Sequence, residues 1–223
     1  MQPKGIILLI EKTISGLHSN LVSILKSRSV TLDATIFDVG CGTGAWLSRL
    51  KYEGWSQLNG IDYVMPEPIV GLELKRFDIN QDDYSKLGLY QVVTCIEVIE
   101  HIENIGRLLD LIKSVLAPDG VALITTPNIE SLRARTRSLI NGKIPSFDEK
   151  SDTTHLMPIL RDTLIKMLSK RQMQIIEIQQ YPVNKNHSLQ YRTSVKFFAR
   201  VLRFLLADEL YGDNSVYIIT HTS

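Results

Sequence analysis

The stretch FDVGCGTGAW, residues 37–46, decides how the rest of the chain is read. Its first residues close a short apolar run, ATIFDVG (34–40), of the kind that forms a buried strand. Gly40, Gly42 and Gly44 follow at alternate positions, and then comes GAWLSRLKYEG (44–54), with Trp46, Leu47 and Leu50 at helical spacing and Gly54 closing it. Glycine permits a tight turn and lets a ligand approach the main chain with no Cβ in the way. The helix amides beyond such a turn favour a carboxylate or a phosphate. A plain strand-to-helix turn accounts for the glycines equally well until their neighbours are considered.

Outward from this loop the pattern alternates. QLNGID (57–62), LELKRFDI (72–79), QVVTCI (91–96) and VALITT (121–126) are further strand candidates. The helix ENIGRLLDLIKSVLA (103–117) separates the last two, and APDG (117–120) turns into the fifth strand. Short apolar strands alternating with helices predict a doubly wound α/β sheet covered on both faces. After Pro127 come an amphipathic helix with three arginines (129–140), a polar segment expected to be a long mobile loop (141–158), and a helix (160–171). A strand (174–183), a second amphipathic helix (191–210) and a closing strand (215–222) complete the chain. Residues 1–30 are expected to carry one N-terminal helix, running from Ile6 to about Lys26. With no convincing linker or repeat, residues 1–223 are expected to form one domain.

Composition narrows the function classes. Lys plus Arg (25) nearly balances Asp plus Glu (24), so no global field attracts nucleic acid or an acidic membrane. The two cysteines cannot build a disulfide framework and suit a reducing compartment. The apolar run GIILLI (5–10) is too short to span a bilayer, and a cytoplasmic location is expected.

Two groups of residues carry chemistry. Asp62 ends the second strand, 24 residues after Asp38, where doubly wound folds place an acid for ribose hydroxyls. Asp78 is expected to end the third strand, at the carboxyl edge where such sheets bind ligands. The second group is Glu97, Glu100 and His101, in CIEVIEHIEN (95–104). Spacings of i, i+3 and i+4 predict all three on one helical face. There they can form a catalytic site, bind a divalent ion such as Mg²⁺ or Mn²⁺, or simply make the polar start of a helix.

Asp38-Val-Gly40-Cys-Gly42-Thr-Gly44, Asp62, FDI (77–79) and LAPDG (116–120) together resemble the class I S-adenosylmethionine-dependent methyltransferases. The resemblance covers roughly residues 30–222 and implies a Rossmann-like, seven-stranded sheet of order 3-2-1-4-5-7-6 with the last strand antiparallel. It implies that Asp38, Gly40, Cys41, Gly42, Gly44, Asp62, Asp78, Ile79 and Ile96 bind the cofactor S-adenosylmethionine. Asp38 would face the methionine amino group, Asp62 the ribose and Asp78 the adenine. The Glu-x-x-Glu-His pattern is similar to two metal-assisted branches, the ubiquinone-biosynthesis O-methyltransferases and the small-RNA 2′-O-methyltransferases. That similarity adds His155 as a fourth metal ligand beside Glu97, Glu100 and His101, with Mg²⁺ or Mn²⁺ as the ion. Without a metal, His101 or His155 would act as general base, so His101, Glu97 and His155 are the expected catalytic residues.

The acceptor side is expected to comprise helices within 128–170 and 185–212. Arg133, Arg135 and Arg137 would contact an anionic acceptor or form a solvated helix face. The basic amphipathic helix with Phe197, Phe198, Val201 and Leu202 suits packing on its own domain, a homodimer partner, or peripheral membrane contact. The leading expectation is O-methylation of a small-molecule or glycan hydroxyl. RNA 2′-O-methylation and a non-catalytic cofactor-binding regulator are the alternatives, with nucleic acid disfavoured by the balanced charge.

Overall fold

The computed structural model describes residues 11, 13–64, 67–182 and 211–222. Seven strands form one sheet in the order β3-β2-β1-β4-β5-β7-β6. The strands are β1 (Thr35–Val39), β2 (Gln57–Asp62), β3 (Glu73–Arg76), β4 (Tyr90–Ile96), β5 (Leu116–Pro127), β6 (Met173–Tyr181) and β7 (Asn214–His221). Strands β1 to β5 pair in parallel, while β7 runs antiparallel to both β5 and β6. The helices are α1 (Leu17–Ser27), α2 (Ala45–Tyr52), α3 (Ile105–Val115), α4 (Leu132–Asn141) and α5 (Arg161–Ser169).

Period-two alternation explains why helices are needed on both faces. Ile36, Val92, Leu123 and Ile218 pack with α1 and α2 on one face. Their neighbours Phe37, Val93, Ile124 and Tyr217 pack with α3 and α5 on the other. Strands buried on both faces read as continuous apolar runs. Each such Val, Leu or Ile side chain contributes roughly 1.5–3 kcal/mol by leaving water.

Several expectations need correcting. The N-terminal helix does not run unbroken from Ile6: Gly16, at φ 81°, precedes a helix that begins at Leu17, and a backbone bond from Leu17 N–H to the Ile14 carbonyl closes a turn before it. Residues 1–10 and 12 lie outside the described residues, as do 183–210, so the whole of the expected second amphipathic helix (191–210) falls outside them. Strand β3 stops at Arg76, so Asp78 lies just past the strand instead of ending it. Residues 117–120 do loop out: β5 pairs with β4 at Leu116 and resumes register only at Val121.

The segment expected to be a mobile loop is tied down by specific bonds. Leu156 and Met157 donate their amides to the Glu100 carbonyl at 2.9 and 3.0 Å. Arg137 reaches the Asp148 carboxylate at 2.5 Å. No helix among the described residues is long and apolar enough to cross a membrane.

Candidate active site

The carboxyl edge of the sheet holds the site. Strand β1 lies between β2 and β4, so its end meets side chains from both neighbours. Gly40, Gly42 and Gly44 all have positive φ, at 79°, 52° and 77°. At Gly40 glycine is also needed for space, because a Cβ there would collide with the Val98 side chain. The amides of Gly40 and Cys41 both donate to the Ile61 carbonyl, at 2.8 and 2.9 Å. Gly42 N–H reaches Asp62 Oδ2 at 2.7 Å, so the loop and the second acid are locked together. The other oxygen of Asp62 accepts the Val64 amide at 3.0 Å.

Asp38 is 3% exposed. The Thr94 hydroxyl donates to its Oδ1 at 2.6 Å and itself receives the Trp46 indole N–H at 3.1 Å. Burial pushes the Asp38 carboxyl up to about 7; the Thr94 bond opposes this, and the nearby Asp62 charge adds to it. Asp78 borders an adjoining cavity of about 420 Å³ with Asp62 and Ile79, and Gly40, Glu97, Val98 and His101 line both this cavity and the larger one beside it. Its Oδ1 accepts the Asn80 amide at 2.9 Å, the geometry of an Asx turn.

Glu97, Glu100 and His101 do not share a helical face. Ile99–His101 make only a single 3-10 turn, and Glu97 lies before it at φ 53°. A left-handed conformation costs a non-glycine residue about 1–2 kcal/mol. Thr125 holds Glu97 there: its hydroxyl accepts the Glu97 amide at 3.0 Å and donates to Oε1 at 2.8 Å. Burial raises the Glu97 carboxyl above its ordinary value, against the Thr125 bond.

Glu100 is completely buried, and neither of its carboxylate oxygens has a partner in hydrogen-bond geometry. Burial, followed by the Glu97 charge, pushes this carboxyl up to about 8; the Thr126 hydroxyl beside it offsets only part of that. His101 Nδ1 lies 3.0 Å from the Thr154 carbonyl, and His155 Nδ1 lies 2.8 Å from the Ser146 carbonyl. A carbonyl can only accept, so Nδ1 of each ring carries a proton, and in the neutral form of either ring Nε2 is the bare acceptor. Burial lowers the His101 pKa and keeps that ring neutral. The two ring centroids are 4.7 Å apart, and ligating atoms of Glu100, His101 and His155 lie within 4.8 Å of one another. An unpartnered buried carboxylate facing two imidazoles, each oriented by a carbonyl, is a donor set that fits a divalent ion. Glu97 is outside that trio and stays with Thr125.

One cavity of about 510 Å³ joins the two groups: Asp38, Gly40, Cys41 and Gly42 border it at one part, Glu97, His101 and His155 at another. Ile96 borders it too. Arg133, Arg135 and Arg137 instead pair with Asp213, Glu130 and Asp148, at 3.0, 3.7 and 2.5 Å. The supporting residues Trp46, Thr94, Thr125, Ser146 and Thr154 were not anticipated. A threonine inside an apolar strand, as in QVVTCI and VALITT, was the available signal for two of them.

Comparison with known proteins bears on the fold and the family. Over 127 residues the chain is 30% identical to the ubiquinone biosynthesis O-methyltransferase of Rickettsia prowazekii, covering 53% of this chain and 47% of that protein. The chain thus spans about half the length of the first curated relatives it matches. A SAM-dependent methyltransferase from Archaeoglobus fulgidus superposes with a TM-score of 0.60 at 21% identity, covering 92% of this chain and 94% of that one. The magnesium protoporphyrin IX methyltransferase of Synechocystis, solved with bound SAH, gives a TM-score of 0.58 at 16% identity, covering 92% and 82%. The model of the methyltransferase domain matches residues 17–178, and the chain belongs to that family.

Proposed function

We propose that the chain, acting as one domain, is an S-adenosylmethionine-dependent O-methyltransferase whose acceptor is a small molecule bearing a hydroxyl, a phenol before a sugar. The observation that carries this is the shared cavity, in which the glycine loop and the His101/His155 pair face the same space. The names of the relatives support the phenol: they are ubiquinone biosynthesis O-methyltransferases.

Each residue then has a task. Asp38 accepts from the methionine ammonium, Asp62 from the ribose hydroxyls and Asp78 from the adenine amino group. Gly40, Cys41, Gly42 and Gly44 let the cofactor lie against the main chain, and Ile79 and Ile96 provide apolar walls. Transfer is an in-line displacement at the sulfonium methyl, so much of the rate comes from holding acceptor oxygen, methyl and sulfur in line. The acceptor oxygen must also lose its proton. With Nδ1 already protonated, the Nε2 atom of His101 or His155 is the atom able to take it.

Glu100, His101 and His155, with Glu97 as an adjacent fourth group, would hold Mg²⁺ or Mn²⁺. The ion would lower the pKa of the acceptor hydroxyl when bound. The paired arginines of α4 act as internal ties, and this weighs against a phosphate-rich RNA acceptor.

Calorimetric titration with S-adenosylhomocysteine, on metal-stripped protein and again with Mn²⁺ or Mg²⁺, tests the reading. Saturable binding is expected in both, together with methyl transfer to catechol-type acceptors. Folded protein that binds no S-adenosylhomocysteine under either condition overturns it.

A further inference from the structure

The cavity has a third border that neither group of residues accounts for. Thr13, Ile14 and His18, from the turn and the first turn of α1, line it beside the glycine loop. His18 is only 3% exposed, and its ring tilts against Trp46 with centroids 5.3 Å apart. Trp46 is the residue whose indole leads through Thr94 to Asp38. His18 is therefore packed onto the same structure that positions Asp38.

The two ring nitrogens of His18 face different surroundings. Nδ1 is buried and 3.4 Å from Glu11 Oε1, outside hydrogen-bond geometry, and Arg49 holds that same oxygen at 2.9 Å. Neither Glu11 nor Arg49 borders the cavity. A carboxylate beside Nδ1 favours the proton there and leaves Nε2 as a lone-pair acceptor. Burial also keeps the ring neutral, with the Glu11 charge opposing and the Arg49 charge assisting.

The geometry points to His18 as a positioning residue that accepts a hydrogen bond from the α-amino group of the cofactor's methionine portion, alongside Asp38. This rests on the cofactor reading above. A bare acceptor requires a donor, and the methionine portion offers N–H groups only at its ammonium, since its carboxylate and sulfonium have none. The cofactor's other donors, the ribose hydroxyls and adenine amine, belong with Asp62 and Asp78, which border the other cavity. The acceptor hydroxyl belongs with His101 and His155. His18 is thereby a determinant of specificity for an amino-bearing ligand, and the nearby Glu11 carboxylate favours the tautomer it needs.

The test compares S-adenosylhomocysteine with its deaminated analogue, which lacks only the α-amino group, by calorimetry on the full chain. His18→Phe keeps a ring against Trp46 and removes the acceptor. It is expected to weaken S-adenosylhomocysteine about tenfold and leave the analogue within about twofold, the scale of one hydrogen bond lost. His18→Gln retains an acceptor and should restore most of the preference. Glu11→Ala, at a part-exposed position, should give a smaller loss confined to S-adenosylhomocysteine. Equal losses for both ligands, or none for either, would overturn the assignment and leave His18 as packing. Wild-type protein that binds neither ligand would instead overturn the cofactor reading itself.

Discussion

The Thr94 hydroxyl donates to Asp38 Oδ1 at 2.6 Å while accepting the Trp46 indole N–H at 3.1 Å. This single side chain, in the middle of β4, links the first turn of α2 to the carboxylate at the next-to-last position of the glycine loop's strand. Thr94→Val keeps the shape and removes both bonds. The Asp38 pKa should rise further, and the buried indole would lose its partner, costing about 1–3 kcal/mol of stability. Urea unfolding, paired with S-adenosylhomocysteine titration at pH 7, should show lower stability and roughly tenfold weaker binding. Unchanged values in both would show the chain of bonds to be incidental.

Asp38 also sets a pH dependence. Its carboxyl is raised to about 7 in the free protein, so it is largely protonated below that pH. A bound ammonium favours the carboxylate, and cofactor binding should therefore release a proton. Affinity should fall as the pH drops from about 8 to 6. Titrations at pH 6.5 in buffers of different ionisation enthalpy should give different apparent heats. Identical heats would remove Asp38 as the cofactor's ion-pair partner.

The metal role proposed for Glu100 would oppose its contribution to stability. Its folded pKa, about 8, is far above the unfolded value, so between roughly pH 4 and 8 the folded state binds the extra proton. Its contribution to stability is greatest at low pH and declines as pH rises through 8. At pH 8.5 and without metal, Glu100→Gln should melt about 3–6 °C higher than wild type, for a gain of one or two kcal/mol. The same variant should show no saturable heat with Mn²⁺. A variant that melts lower at pH 8.5, or still binds Mn²⁺, contradicts this account of the trio.

Two glycines separate backbone strain from collision. Gly40→Ala meets both a positive φ and the Val98 side chain, whereas Gly42 has open space around it and only the φ of 52° to resist a Cβ. Gly42→Ala should cost about 1–2 kcal/mol, and Gly40→Ala more. Adding Val98→Ala to Gly40→Ala should recover part of the excess, measured by double-mutant cycle in urea.

The Arg137–Asp148 pair ties α4 to the segment that carries His155. With His155 in the proposed role of general base or metal ligand, Arg137→Ala should lower kcat by about tenfold, because that group would be poorly positioned. S-adenosylhomocysteine affinity should be unchanged. An equal fall in both would mean that the pair supports the whole fold instead of the 141–158 segment.

The doubly wound sheet was legible in the sequence because doubly buried strands leave unmixed apolar runs alternating with helices, whereas its strand order came only from the family resemblance. The glycine loop was legible for a related reason: few residue types tolerate three positive φ values in five positions. The shape around Glu97 was not. Reading EVIEH as helix followed from spacing, but the Thr125 hydroxyl pins Glu97 in a left-handed conformation, and that partner is 28 residues away in sequence. The tautomers of His101 and His155 were likewise invisible, because each is set by a carbonyl of a loop that has no periodicity to read. His18 went unnoticed because it occupies a helical, apolar face, where burial is the ordinary explanation.

The pairing of β6 with β7 runs to Tyr181 and Asn214, and Asn214 borders the main cavity. The open end of this hairpin therefore lies at the rim of the site. Lengthening such a connection costs little, about 0.6 kcal/mol for each doubling, and leaves the ladder below it intact. Chain can be added or exchanged there without disturbing the register of the strands that carry Asp38 and Asp62 or of β4, which leads into Glu97. Additions between Tyr181 and Asn214 should for that reason leave the stability of the sheet and the affinity for S-adenosylhomocysteine close to those of the unaltered chain.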